Sequence, residues 1–389
     1  PACSHHKSTK MALKPTTPKD LAGAVAADEL KQPFAGIDLP IRPPFPVMEA
    51  RIAPQLPEAG EWQYEPKWDG FRGVAFRRDN QVLLQSKAGQ PLGRYFPDLV
   101  EHLLALPVEQ FVLDGEIVIL NEGHLDFNAL LQRIHPAESR IRKLAKETPV
   151  TFLCFDLLVD AAGELLTGQP LSDRRKALED FFKKIPNSEG IWLSPATRDL
   201  NAAQRWMKDL AASGFDGVVA KQVSEPYHSG DRKGMLKIKR QRTADCVVGG
   251  FRYASKGGQV GSLLLGLYDE AGKLNHVGFS SSFNADAREK LLGTLKPFIV
   301  QNQDKQGEGV GFSGNAPGGP SRWSTERSTE WTPLRNELVC EVQYDHFSGG
   351  RFRHGCKFLR WRPEKSPRQC TYEQVQVASA HFIEQLKTA

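Results

Sequence analysis

The sequence predicts an α+β chain, in which a domain of mainly antiparallel sheets with interleaved helices precedes a small β-barrel. Three observations carry this. Between residues 49 and 242, short apolar strands alternate with amphipathic helical stretches. After Arg242 the helical spacing gives way to short strands separated by glycine-containing turns, which suits a small closed barrel. The 389 residues, 40% hydrophobic and 25% charged, are the composition of a folded chain with room for two domains and an extension.

In chain order, residues 1–48 read as an extension. A short helix is expected over 18–32. A stretch holding Pro40, Pro43, Pro44 and Pro46 follows, and its prolines exclude a regular helix and favour an extended arm. Residues 49–242 form the first domain. Residues 65–77 read as strand, turn, strand, and 81–86 as another strand. Residues 96–106 have helical spacing. Residues 111–120 alternate around Asp114-Gly115, a pair typical of hairpin turns. The apolar run 151–159 reads as a buried strand, 171–184 and 201–213 as amphipathic helices, and 215–221 and 235–239 as strands. Residues 243–370 form the barrel, with strands near 245–253, 261–268, 274–280 and 337–344. A long loop at 301–329 carries Trp323 beside Arg322. The tail, 371–389, is expected to be helical.

No apolar run approaches the about 18 residues of a membrane span, and no charged stretch followed by an apolar core opens the chain. The six cysteines include no C-x-x-C pair, which argues against a zinc knuckle or redox motif and for a reducing cytoplasm. The net charge of +5 is modest, but its placement is uneven. Residues 232–242 hold six cations and no acid. Residues 351–368 hold seven cations against Glu364 alone. Each cluster taken singly fits a solvated face; two together point to a polyanion.

The chemistry starts at Lys67-Trp68-Asp69-Gly70-Phe71-Arg72. A Lys-x-Asp-Gly spacing arises by chance in roughly one chain in ten of this length, so alone it fits a surface strand ending in a turn. A nucleophilic reading makes a demand. A free lysine titrates near 10.4, leaving only about one in two thousand neutral at pH 7, so the site must favour the neutral amine through nearby cations or desolvation. Further basic residues should therefore gather around Lys67 from distant sequence. The chain offers, in order, Asp114-Gly115-Glu116, Phe155-Asp156, Asp216-Gly217-Val218-Val219-Ala220-Lys221 and Lys237-Ile238-Lys239. Each has a plain reading as a turn, a core aromatic or a solvated strand face. A Gly-x-Gly-x-x-Gly match at 309–314 follows no strand and opens no helix, so it reads as loop. Cys3, His5 and His6 read as a flexible tail rather than a metal site.

Taken in this order and spacing, over about residues 49 to 370, these segments resemble the covalent nucleotidyltransferases: DNA ligases, RNA ligases and capping enzymes. Arg362-Pro363-Glu364-Lys365 resembles the last ligase motif. Glu341 through His346, Arg351 through His354 and Pro320 through Trp323 resemble the bacterial ATP-dependent DNA ligases of the C type. The resemblance implies a nucleotidyltransferase domain with a terminal OB-fold barrel, and a role for each matching residue. Lys67, with Asp69 beside it in the catalytic set, would take AMP from ATP. Glu65 would face the adenine amino group and Phe155 its ring. Glu116 would bind ribose, and Arg72 the ribose and the nick. Lys237 and Lys239 would neutralise the α-phosphate, with Lys221 adding charge. Arg362 and Lys365 would orient the leaving pyrophosphate, and the barrel would move about a junction near 239–243. Asp216, with Glu116, would hold Mg²⁺ or Mn²⁺ through hard oxygen ligands.

Three positions depart from the family pattern. Asp216 stands where Glu is usual, Glu364 where Asp is usual, and Lys87 where many relatives have Arg. The implied activity is sealing of nicked duplex DNA, in repair, by a monomer in the bacterial cytoplasm. An RNA ligase or capping-type nucleotidyltransferase, or a non-catalytic nucleic-acid-binding module, is the alternative.

Overall fold

The computed structural model describes residues 36–375 apart from 122, 187, 210–214, 241, 255–257, 301–308 and 319–329. The helix expected over 18–32, the tail beyond 375 and Trp323 with its neighbours lie outside the described residues. Two compact units divide the chain. Described residues 36–245, 341–360 and 371–375 form one, and 246–340 with 361–370 form the other. Residues 341–360, in the expected barrel segment, thus group with the larger unit.

The larger unit runs β1 (Arg51–Ala53), β2 (Trp62–Lys67), β3 (Phe71–Arg78), β4 (Gln81–Ser86), α1 (Pro97–Ala105), β5 (Gln110–Asn121), β6 (His124–Leu125), α2 (Phe127–Arg133), α3 (Glu138–Glu147), β7 (Val150–Val159), α4 (Leu171–Lys184), β8 (Ile191–Leu193), α5 (Leu200–Asp209), β9 (Gly217–Gln222) and β10 (Met235–Lys239). One sheet has the order β1-β10-β9-β2, the other β4-β3-β5-β7-β8 with β6 on β5. Among the described residues of this unit, β1–β10 and β7–β8 pair in parallel. The expected strand-turn-strand at 65–77 is therefore no hairpin, because β2 and β3 enter different sheets. Gly70 lets the chain cross: a Cβ there would sit 2.3 Å from the Ile117 carbonyl oxygen.

Asp114-Gly115 is also not a turn. It lies inside the 12-residue β5, where the register with β7 shifts. A Cβ on Gly115 would lie 2.6 Å from the Leu153 carbonyl oxygen, so glycine here permits close strand approach rather than reversal. Phe155 and Asp156 likewise sit within β7 and do not end it.

Behind β3, β5 and β7, Leu99 and Leu103 of α1 and Leu178 and Phe181 of α4 join Phe111 and Phe152 in the main core. The proline-rich arm forms neither helix nor strand, bends at 39–41 and 43–44, and is part of the fold. Ile37, Leu39, Val47 and Met48 are buried with Val74, Phe76, Val112 and Tyr227. Gln85 fixes it, accepting from the Phe45 amide at 2.8 Å and donating to its carbonyl at 2.6 Å.

The chain continues as β11 (Arg242–Tyr253), β12 (Val260–Tyr268), β13 (Leu274–Ser280), α6 (Ala285–Leu295), β14 (Thr332–Pro333), β15 (Val339–Tyr344), β16 (Phe347–Ser348), β17 (Arg351–Phe352) and β18 (Lys357–Trp361). Here the sheet order is β13-β12-β11-β15-β18, with β14 on β11. Among the described residues this is an open path and not the closed ring expected, though its short, glycine-turned strands are those of an OB-fold. Residues 309–314 are loop, with Val310 in an isolated bridge to Arg335. No described helix is long and apolar enough to cross a membrane.

Candidate active site

Strand register brings the first residues together. Lys67 of β2 lies opposite Gly217 of β9, and Gly217 opposite Lys239 of β10. The next row on that face is Glu65, Val219, Lys237. Period-two alternation thus puts Lys67 and Lys239, and Glu65 and Lys237, on one face of the sheet. The central residue of the first row has to be glycine. Gly217 has φ +144°, and a Cβ would come within 2.0 Å of the Ile238 carbonyl oxygen. Just before it, Asp216 donates its amide to the Lys67 carbonyl at 3.2 Å, which sets the carboxylate beside the lysine.

Asp216 is 5% exposed and is the electrostatic centre of the group. Its Oδ2 pairs with Lys67 Nζ and, at 3.3 Å, with Lys239 Nζ. Its Oδ1 takes Nε2 of His346 at 3.1 Å. Burial pushes this carboxyl up, but the His346 hydrogen bond and the Lys67 and Lys239 charges outweigh it and hold it well below the usual carboxylate range. Lys237 goes the other way. Burial, then the positive charges of Lys67, Lys87, Lys239 and Arg232, push its ammonium below the ordinary lysine value.

A second group is centred on Phe155. Arg72 lies over its ring at 4.9 Å and Lys221 Nζ at 4.6 Å. Lys221 also pairs with Glu65 at 2.8 Å, and Gln63 donates to the other Glu65 oxygen at 2.7 Å. Arg72 makes a two-pronged contact with Asp114, at 2.8 and 2.6 Å, and the Tyr227 hydroxyl donates to the same carboxylate at 2.6 Å. Burial opposes the Arg72 charge, and Asp114 more than offsets it, so this arginine stays ionised. Glu116 is the cross-strand partner of Arg72. Burial pushes its carboxyl up to about 7, against the charges of Arg72 and Lys67.

Lys67, Glu65, Asp69, Arg72, Glu116, Phe155, Asp216, Lys237 and Lys239 thus all belong to the larger unit, whereas Arg362 and Lys365 belong to the other. Asp114, Tyr227, His346 and Arg353 were not among the site residues expected from sequence. Asp114 belongs to a pair whose sequence is typical of hairpin turns. Tyr227 has no motif. His346 and Arg353 lie 130 and more residues after Asp216, and Arg353 Nη1 reaches Asp69 Oδ2 at 2.8 Å.

Among the described residues no three metal-ligating side chains converge. The donor chemistry still fits a hard cation that keeps much of its water. Asp216 is held ionised, and Glu116 offers a second carboxylate oxygen near Lys67.

The chain is similar to known proteins over most of its length. The ATP dependent DNA ligase domain model matches residues 49–239, and the ATP dependent DNA ligase C terminal region model matches 256–365. DNA ligase C1 of Mycolicibacterium smegmatis is 43% identical over 349 residues, covering 87% of this chain and 96% of that protein. DNA ligase C of Mycobacterium tuberculosis is 43% identical over 347 residues with the same coverage. A solved structure, Pmar-Lig_PreS3, shares the fold with a TM-score of 0.51 at 18% identity, over 78% of this chain and 64% of that one. The chain belongs to the ATP-dependent DNA ligases, and its larger unit carries their nucleotidyltransferase fold.

Proposed function

We propose that this ligase seals nicks in duplex DNA through an adenylate carried on Lys67. The observation that supports this best is the cross-strand row of Lys67, Gly217 and Lys239 around the ionised Asp216. Phosphoryl-type transfer needs positioning and charge neutralisation above all. Once the Lys67 ammonium has passed a proton to water, Nζ attacks the α-phosphorus of ATP. The N–P bond forms as the bond to the bridging oxygen breaks, and pyrophosphate leaves with that oxygen. The AMP then passes to the 5′-phosphate of the nick, regenerating the lysine. The 3′-hydroxyl attacks that phosphate, loses its proton, and AMP departs.

Phe155 would stack on the adenine, Glu65 would accept from its amino group, and Glu116 would hold the ribose. Lys237 and Lys239 would take the α-phosphate charge. Arg72, fixed by Asp114, would present its remaining edge to the ribose and the nick. Arg362 and Lys365, carried by the other unit about a junction near 239–243, would orient the pyrophosphate. A divalent cation, Mg²⁺ or Mn²⁺, would be held by Asp216 and Glu116 and would offset the triphosphate charge. The relatives are bacterial, and on this reading the chain is a monomeric repair enzyme of the bacterial cytoplasm.

The test is sealing of a singly nicked duplex with ATP. The wild type should seal it, and Lys67→Ala should form neither product nor DNA-adenylate. Sealing by Lys67→Ala would end this assignment.

A further inference from the structure

The base of the hairpin β16–β17 reaches Asp216 and Asp69 from the far end of the sequence. Its turn is Gly349-Gly350, both with positive φ (58° and 76°), the two-residue form that matches strand twist. Phe347 pairs with Phe352 and Ser348 with Arg351. At the base, the Arg353 amide donates to the His346 carbonyl at 3.0 Å, so His346 and Arg353 stand side by side. Asp345 closes the base, accepting from the His346 amide at 2.7 Å and pairing with His354 Nδ1 at 2.6 Å. The two acids that flank Lys67 are then taken one each. His346 Nε2 bonds Asp216 Oδ1, and Arg353 bonds Asp69 Oδ2 while lying 4.1 Å over the Phe127 ring. His346 is 7% exposed, and its Nδ1 is 3.7 Å from Asp69 Oδ2.

From this geometry we propose that His346 is a positioning residue for Lys67 adenylation: it pins one oxygen of Asp216 so that the other is aimed at Lys67 and Lys239. The inference rests on the reading of Lys67 as nucleophile. Aspartate carries its carboxylate one methylene nearer the backbone than glutamate would, and a single hydrogen bond to Oδ1 fixes the remaining rotation. Because the carboxylate accepts, Nε2 carries the hydrogen. A glutamine amide nitrogen can stand at the same place, and alanine cannot.

The experiment is single-turnover formation of the lysyl adduct from labelled ATP over a range of ATP concentrations, with full-length wild type, His346→Ala, His346→Gln and Lys67→Ala, each checked by thermal melting. For His346→Ala the rate at saturating ATP should fall about ten-fold or more, while the half-saturating ATP concentration moves less than about three-fold. His346→Gln should recover most of the rate. Such a split, with rescue, is not what a general loosening of the fold gives. A wild-type rate in His346→Ala would overturn the proposal, as would a folded His346→Gln no faster than His346→Ala. Adduct formation by Lys67→Ala would instead overturn the reading beneath it, so the two failures are distinct.

Discussion

At the scale of single residues, the site is a set of carboxylates driven in opposite directions. Asp216 is held ionised by the groups around it, whereas Glu116 is pushed up to about 7, chiefly by burial. The Glu116 shift has a consequence for stability. A carboxyl raised from 4.5 binds its proton more tightly in the folded chain, so its contribution is full below about pH 4.5 and is lost as pH rises through about 7. Glu116→Gln keeps the neutral form at every pH. In metal-free buffer it should melt above the wild type at about pH 8, by on the order of 1–3 kcal/mol, with the gap closing near pH 4.5. A gap independent of pH across that window would show that folding does not raise the Glu116 carboxyl. None of these shifts is legible in the residue names. Glu116 and Asp216 are both acids beside a glycine in sequence, and only the packing of β5 and β9 separates them.

At the scale of elements, strand type and order were legible where the apolar pattern was strong. The run 151–159 is β7, and 171–184 is α4. What failed was the meaning of glycine. Asp114-Gly115 and Asp69-Gly70 look like reversals in a one-dimensional reading, yet the first lies inside a long strand and the second lets the chain pass from one sheet to another. Helix α3 carries too few apolar residues to announce itself, since it buries Ile141 alone, whereas α2, of seven residues, and the two-residue strands β16 and β17 are too short to show a period. The chain order of Lys67, Gly217 and Lys239 was visible, but not that register sets them in one row. That row makes a prediction. Gly217→Ala must move the Ile238 carbonyl or the strand itself, and should lower stability by about 2–4 kcal/mol and slow adenylation together. Melting and adduct formation on the same sample check it, and a melt unchanged from the wild type would contradict the close β9–β10 approach.

At the scale of the whole molecule, the family followed from motif order, because five ordered segments constrain each other far more than any one does. The allocation of residues 341–360 did not follow. A stretch read as barrel by position supplies His346 to Asp216 and Arg353 to Asp69, and linear order cannot reveal such a return. The charge clusters at 232–242 and 351–368 belong to this scale too, since each is ordinary alone and together they fit a polyanion. Everything proposed for the reaction turns on one atom, Nζ of Lys67. The most direct measurement is peptide mapping by mass spectrometry after incubation with ATP and Mg²⁺. The account predicts AMP on the peptide carrying Lys67, through an acid-labile, alkali-stable bond. AMP on any other residue, or a chain that seals DNA without ever carrying AMP, would contradict it.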